Sequence, residues 1–180
     1  MTGKIAVGGI TRKDGLVLVR IMGAKPGQGL TGLTLSGLGL KGINIVCVTS
    51  FWDDQGLNNI CVAVGRDDLD QTLGILQEIG EDIGARAIKY QKGCSAVSIY
   101  GPHFSERPAI AGTIFDATAR VGVEILMIST SFSTVSFVTN EEQADAAVAE
   151  LHESFRVPIT IRNQGGTKRL VHHPLRREKK

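Results

Sequence analysis

Aromatic residues are scarce in this chain, with one Trp, two Tyr and six Phe among 180 residues. A bare sheet that stacks nucleic-acid bases needs exposed aromatics along its strands, so the composition argues against nucleic acid as the main partner. Histidines number four, and the three cysteines (Cys47, Cys61 and Cys94) fall at no metal-ligand or redox spacing. Neither a metal nor a cofactor is expected, and the cysteines read as reduced core fillers. No apolar run reaches the ~18 residues of a membrane span, and "MTGKIAVGGI" is too short and too broken by glycine for a secretory signal. The expectation is a cytoplasmic protein with no membrane partner. Also missing are a phosphate loop, a Ser-His-Asp set and a clustered carboxylate pair. No catalytic residue is nominated.

What is present is ordinary globular material, 42% hydrophobic and 21% charged, enough to bury a core. The net charge of +2 is unevenly spread, because residues 162–180 carry seven Lys and Arg against Glu178 alone. This basic tail has Gly165-Gly166, Pro174 and no helical period, and reads as a solvated end. Contact with nucleic acid or an acidic partner is its other reading.

The most informative feature is a repeat. "KGINIVCVTS" (41–50) returns as "RVGVEILMIST" (120–130), so that Gly42-Ile43 falls on Gly122-Val123. A spacing of about 80 residues is too long for a solenoid and suits two compact modules. In the first, "GLVLVRIM" (15–22) reads as a strand and "GAKPGQG" as a turn. A helix follows with Leu30, Thr34, Leu35 and Leu38 on its apolar face, although Gly32, Gly37 and Gly39 each weaken it by ~1 kcal/mol relative to Ala. Those glycines are expected to let the helix lie close to a neighbour. "INIVCVTSF" and "ICVAV" are strands around the loop "FWDDQGLNN", which contains Trp52. "RDDLDQTLGILQEIGEDIG" is a helix with an acidic first turn, and "ARAIKY" closes a βαββαβ unit.

The second module repeats the order. Its strand "SAVSIYG" leads through "GPHFSERP" to a helix ending at Gly122, and the strands "VEILMIST" and "STVSFVT" follow across a tighter connection. Asn140 is expected to cap a helix through Phe155. After it the strand signal in "VPITIR" is weak, whereas "GKIAVGGI" (3–10) has no role in the first module. The N-terminal segment is therefore expected to complete the second sheet. The fold class is α+β, two ferredoxin-like βαββαβ modules packed together, with boundaries at 12–92, at 3–11 plus 93–161, and a tail over 162–180.

These segments resemble a known family. "KPGQG", "KGINIVCVTS" and "ICVAVGRDDLDQTLGILQEI" are similar to the first of two ACT domains in the regulatory region of aspartate kinases, and "GVEILMISTS" with "NEEQADAAVAELHESF" to the second. The resemblance spans about residues 3–157 and lacks the kinase half. It implies no catalysis by the chain alone, and allosteric regulation within amino-acid biosynthesis. It also implies an amino-acid ligand of the threonine or lysine class, a homodimer paired along sheet edges, and a kinase catalytic subunit as a further partner. A Met just before the leading strand fits a separate regulatory subunit.

In the family the ligand lies at an interface between modules, near the loop before the first helix. The resemblance assigns the carboxylate cradle here to Gly27, Gln28, Gly29 and Leu30, where a helix N-terminus offers free N–H groups. The other reading of Pro26-Gly27 is a simple turn. The acidic residue that sensing members carry ahead of Pro-Gly is missing, and Ser50 replaces a Gln late in the long strand. Glu124, with Ile125 beside it, stands where the second module would read Asn. Three outcomes stay open: Glu124 takes the ligand ammonium from the facing side, the ligand has changed, or none binds. A free-standing protein with its own ligand, or with a purely protein-interaction role, is the alternative to a kinase regulatory region.

Overall fold

In the computed structural model, which describes residues 4–101, 104 and 109–157, the repeat becomes two half-sheets joined by one long ribbon. The ribbon is the antiparallel pair β2 (Gly9–Ala24) and β5 (Ala87–Tyr100). On the β2 side it carries β4 (Asn58–Gly65) and then β3 (Ile45–Trp52), and on the β5 side β7 (Thr134–Asn140) and then β6 (Met127–Thr130). The sheet order is β3-β4-β2-β5-β7-β6. Helices α1 (Leu30–Leu40) and α2 (Leu69–Asp82) pack on the first half, and α3 (Ile110–Arg120) and α4 (Ala144–Ser154) on the second. The basic tail 162–180 and most of the turn before α3 lie outside the described residues.

The period-two alternation of strands explains the long apolar runs. Ile60, Val62 and Val64 of β4 face α1 and α2, while Cys61 and Ala63 face the other way. The second set joins Leu16, Leu18, Cys47, Cys94, Ala96, Met127 and Val138 in a core between the two half-sheets. "ICVAV" is apolar at every position because β4 is covered on both faces. The sheet curls around this middle core until its edge strands β3 and β6 lie against each other. All three cysteines are free and buried in it, and burial pushes each thiol up from its ordinary pKa.

Several expected boundaries move. "ARAIKY" and "SAVSIYG" form one strand, β5, and β2 likewise runs from the N-terminal segment into "GLVLVRIM". Gly15 and Gly93 take left-handed φ of 67° and 68° where the ribbon slips register, so each strand bends and serves both halves. The first stretch of β2 pairs Gly9–Lys13 with Tyr100–Ala96, next to the second half-sheet. The expected strand 3–10 is split, because β1 (Ile5–Ala6) pairs in parallel with β8 (Phe155–Arg156) before the chain turns at Gly8-Gly9. A Cβ at Gly8 would come within 2.9 Å of the Tyr100 ring.

The repeated Gly42-Ile43 and Gly122-Val123 are two copies of one helix stop. Ile43 N–H donates to Leu38 O and Val123 N–H to Thr118 O, with the glycines at φ 73° and 68°. Of the glycines in α1, Gly37 alone packs as expected, against Ile75 and Ile79 of α2; Gly32 and Gly39 face open space. Trp52 is the last residue of β3, and the following turn (53–57) is built on Asp53, whose carboxylate accepts from Gln55 N and Leu57 N. These bonds, Leu57 first, hold its carboxyl below the usual range. In the second half the β6–β7 turn is shorter, closed by Ser131.

Candidate functional site

The loop before α1 enters the helix through Gly29 at φ 68°, and no side chain caps the first turn. Gly27 also has a left-handed φ, 79°, and a Cβ at Gly27, Gly29 or Gly32 would meet nothing within 4 Å. There is no acidic residue in the first turn of α1. The result is a helix start with unpaired N–H groups, a positive end and an open approach, which is the ordinary chemistry of carboxylate binding. Leu30 is buried in the core and offers the site its backbone only.

Ser50 is brought to this helix start. Thr31 Oγ1 donates to Ser50 Oγ at 3.1 Å, and Ser50 Oγ donates to Asn58 Oδ1 at 3.1 Å. Thr31 and Asn58 are thus members of the cluster that sequence reasoning missed. The available signal was the alternation of β3, which places Ser50 on the helix side. Asn59 braces the loop from behind, accepting from Gly23 N at 2.9 Å while its amide donates to Leu57 O.

Glu124 and Ile125 lie elsewhere. The expected strand "VEILMIST" begins only at Met127, because the backbone of Glu124 is taken by side chains: its N–H donates to Gln143 Oε1 and its carbonyl accepts from Thr139 Oγ1. The Glu124 carboxylate accepts from Asn140 Nδ2 at 3.2 Å. Asn140 is therefore not a helix cap; its carbonyl oxygen accepts from Gln91, and a 3-10 turn over Glu141–Gln143 precedes α4. Ile125 packs against the second helix-side core. Among the described residues no hydrogen bond joins Glu124 to the Gly27–Leu30 loop, so one chain holds two separate polar clusters. Among the described residues no group of His, Cys, Asp or Glu could hold a metal ion, and none of the described helices is long and apolar enough to cross a membrane.

A four-stranded antiparallel half-sheet with two helices on one face is the arrangement of a ferredoxin-like module. Residues 97–155 match the family model of the ACT domain. The chain as a whole is similar to aspartate kinase regulatory regions. It is 29% identical over 156 residues to an aspartokinase of Geobacillus stearothermophilus, covering 86% of this chain and 37% of that protein. It thus spans well under half the length of the curated relatives it matches first. Among solved structures it is similar to a chain from aspartokinase alpha and beta subunits, at 28% identity, TM-score 0.75, and coverage of 83% of this chain and 98% of that one. The ligand-free regulatory subunit of aspartate kinase from Thermus thermophilus shares its fold, with TM-score 0.76, 23% identity, and coverage of 84% and 99%.

Proposed function

We propose that this chain is a non-catalytic regulatory unit of two ACT modules (12–92, and 3–11 with 93–161) that binds a free amino acid and passes the event to an aspartate kinase catalytic subunit. The observation that carries the reading is the uncapped, unobstructed first turn of α1 with Thr31, Ser50 and Asn58 beside it. Support comes from the similarity to regulatory subunits along nearly their full length. In this reading the α-carboxylate sits on the N–H groups of Gly27 to Leu30, and Ser50 and Asn58 supply acceptors for the ammonium. Because Glu124 and Ile125 belong to the other cluster, they reach a ligand only across a pair of chains. The proposal therefore includes a homodimer along the sheet edges, where Phe51, Trp52 and Ile128 are exposed.

A thermal-shift screen over the common amino acids tests the reading. A true ligand of the threonine or lysine class at a hundred times its Kd raises stability by ~2.7 kcal/mol. Ser50→Ala should weaken its binding by about threefold to tenfold, the value of one net hydrogen bond. A flat screen with a stable dimer by light scattering would favour the second reading, a free-standing module that pairs with proteins. The absence of an acidic residue in the loop and the engagement of Glu124 by Asn140 favour that alternative.

A further inference from the structure

A cavity of about 210 Å3 opens between the two half-sheets. It lies on the face of β3 and β4 opposite to α1 and α2. Ser50 points toward the helices, whereas its neighbours Thr49 and Phe51 line this cavity. The two sites thus stand back to back across one strand. The walls are mostly apolar, with Met22, Phe51, Leu126 and Met127 around Cys61.

One charged side chain lines this cavity among the described residues, Arg20. It is partly buried and stands directly opposite Lys89 in the β2–β5 register, with Cys61 on its other side. Residues directly opposite in an antiparallel pair share a face, so the exposed Lys89 sets a second cation beside Arg20 and supplies it no counter-charge. None of the ion pairs among the described residues includes Arg20 or Lys89. A half-buried guanidinium with five donors in an apolar setting calls for an acceptor, and a carboxylate fits its fork in bidentate geometry.

We propose that the cleft binds a small organic carboxylate with a compact apolar body. Arg20 holds the carboxylate, and Met22, Phe51 and Met127 receive the hydrocarbon part. The volume lies below the ~300 Å3 at which sites for drug-sized ligands begin, which restricts the occupant to a few carbons or one ring. This site is independent of the amino-acid site, since no ammonium acceptor of acidic character lines it.

The chain supplies its own reporters. Of its three methionines, Met22 and Met127 line the cleft. With 13C-methyl methionine labelling of the whole chain, titration by carboxylates from acetate to hexanoate and by phenylacetate is expected to move the Met22 and Met127 signals. The matching neutral amides should bind at least about tenfold more weakly, and Arg20→Gln should weaken the best carboxylate by a similar factor. The amide control needs no variant, so the proposal is tested even where Arg20→Gln fails to fold. No movement of either signal up to about 10 mM, or equal movement with carboxylate and amide, overturns it. A response that persists unchanged in folded Arg20→Gln overturns it as well.

Discussion

Helices α1 and α3 occupy equivalent places in the two halves of the repeat, yet they are finished differently. On α3 the outward face carries Asp116 and Arg120, and Arg120 reaches across to Glu150 at 2.7 Å and to Ser154 on α4. On α1 there is no charged residue; Leu33 and Leu40 are exposed, and Gly32 and Gly39 look into open space. A helix apolar on every side is normally covered on every side. The outward face of α3 is thus tied down to α4, whereas α1 leaves an uncharged helix face available to something else. The regulatory reading places the ligand on the half that is left open.

The largest effects should show that this difference is confined to surfaces, while the cores behave as one. Leu38 and Ile114 are both fully buried, one in each helix-side core. Leu38→Ala and Ile114→Ala should each cost about 2–5 kcal/mol in urea unfolding. Because β2 and β5 are shared, each should shift a single cooperative transition. Two separated transitions would mean that the halves are independent.

Removing residues 1–11 strips the pairing of Gly9–Thr11 with Tyr100–Ser98 and the bond from Gly8 N–H to Tyr100 O. Hydrogen exchange should then report protection lost first at Ala96 to Tyr100, and later at Leu18 to Ile21. The reverse order would assign the N-terminal segment to the first half.

The glycines of α1 give a smaller and sharper test. Gly32→Ala places a methyl in open space and should stabilise the protein by about 0.5–1 kcal/mol through helix propensity and a less flexible unfolded chain. At Gly37 the same change meets Ile75 at 3.1 Å and Ile79 at 3.3 Å, so the gain should vanish. Equal melting temperatures for the two variants would contradict the packing of α1 on α2.

The smallest effect concerns the bend of the ribbon. The buried Ser95 hydroxyl and then the Arg12 guanidinium hold the Asp14 carboxyl below its usual range, and Arg12 also pairs with Asp145. A depressed folded-state pKa gives stability that is present above the unfolded value of ~3.9 and is lost as pH falls through the folded value. Asp14 is well exposed, so the contribution is modest. Urea midpoints taken from pH 7 down to 3 should fall less steeply in Ser95→Ala than in the unaltered chain.

Much of this was legible in the residues alone. The Gly-apolar pairs at 42–43 and 122–123 announce helix stops because left-handed φ selects glycine locally, and the stepping of Leu69, Leu73 and Leu76 follows from the period of a single helix. The candidate loop was legible for the same reason, since uncapped N–H groups and φ-positive glycines are properties of a few consecutive residues. Thr31 and Asn58 were not, because their meeting with Ser50 depends on where α1 lands on the sheet.

By itself, then, the sequence determined the βαββαβ order, its duplication and the apolar faces, all of which rest on local propensity and side-chain period. Tertiary structure decided the rest. It fused four expected strands into β2 and β5, gave Asn140 to Gln91 and Glu124 instead of to a helix end, and set Arg20 opposite Lys89. Those outcomes depend on register between strands distant in the chain, where a slip of one residue would turn every side chain to the other face, and no local pattern encodes that choice.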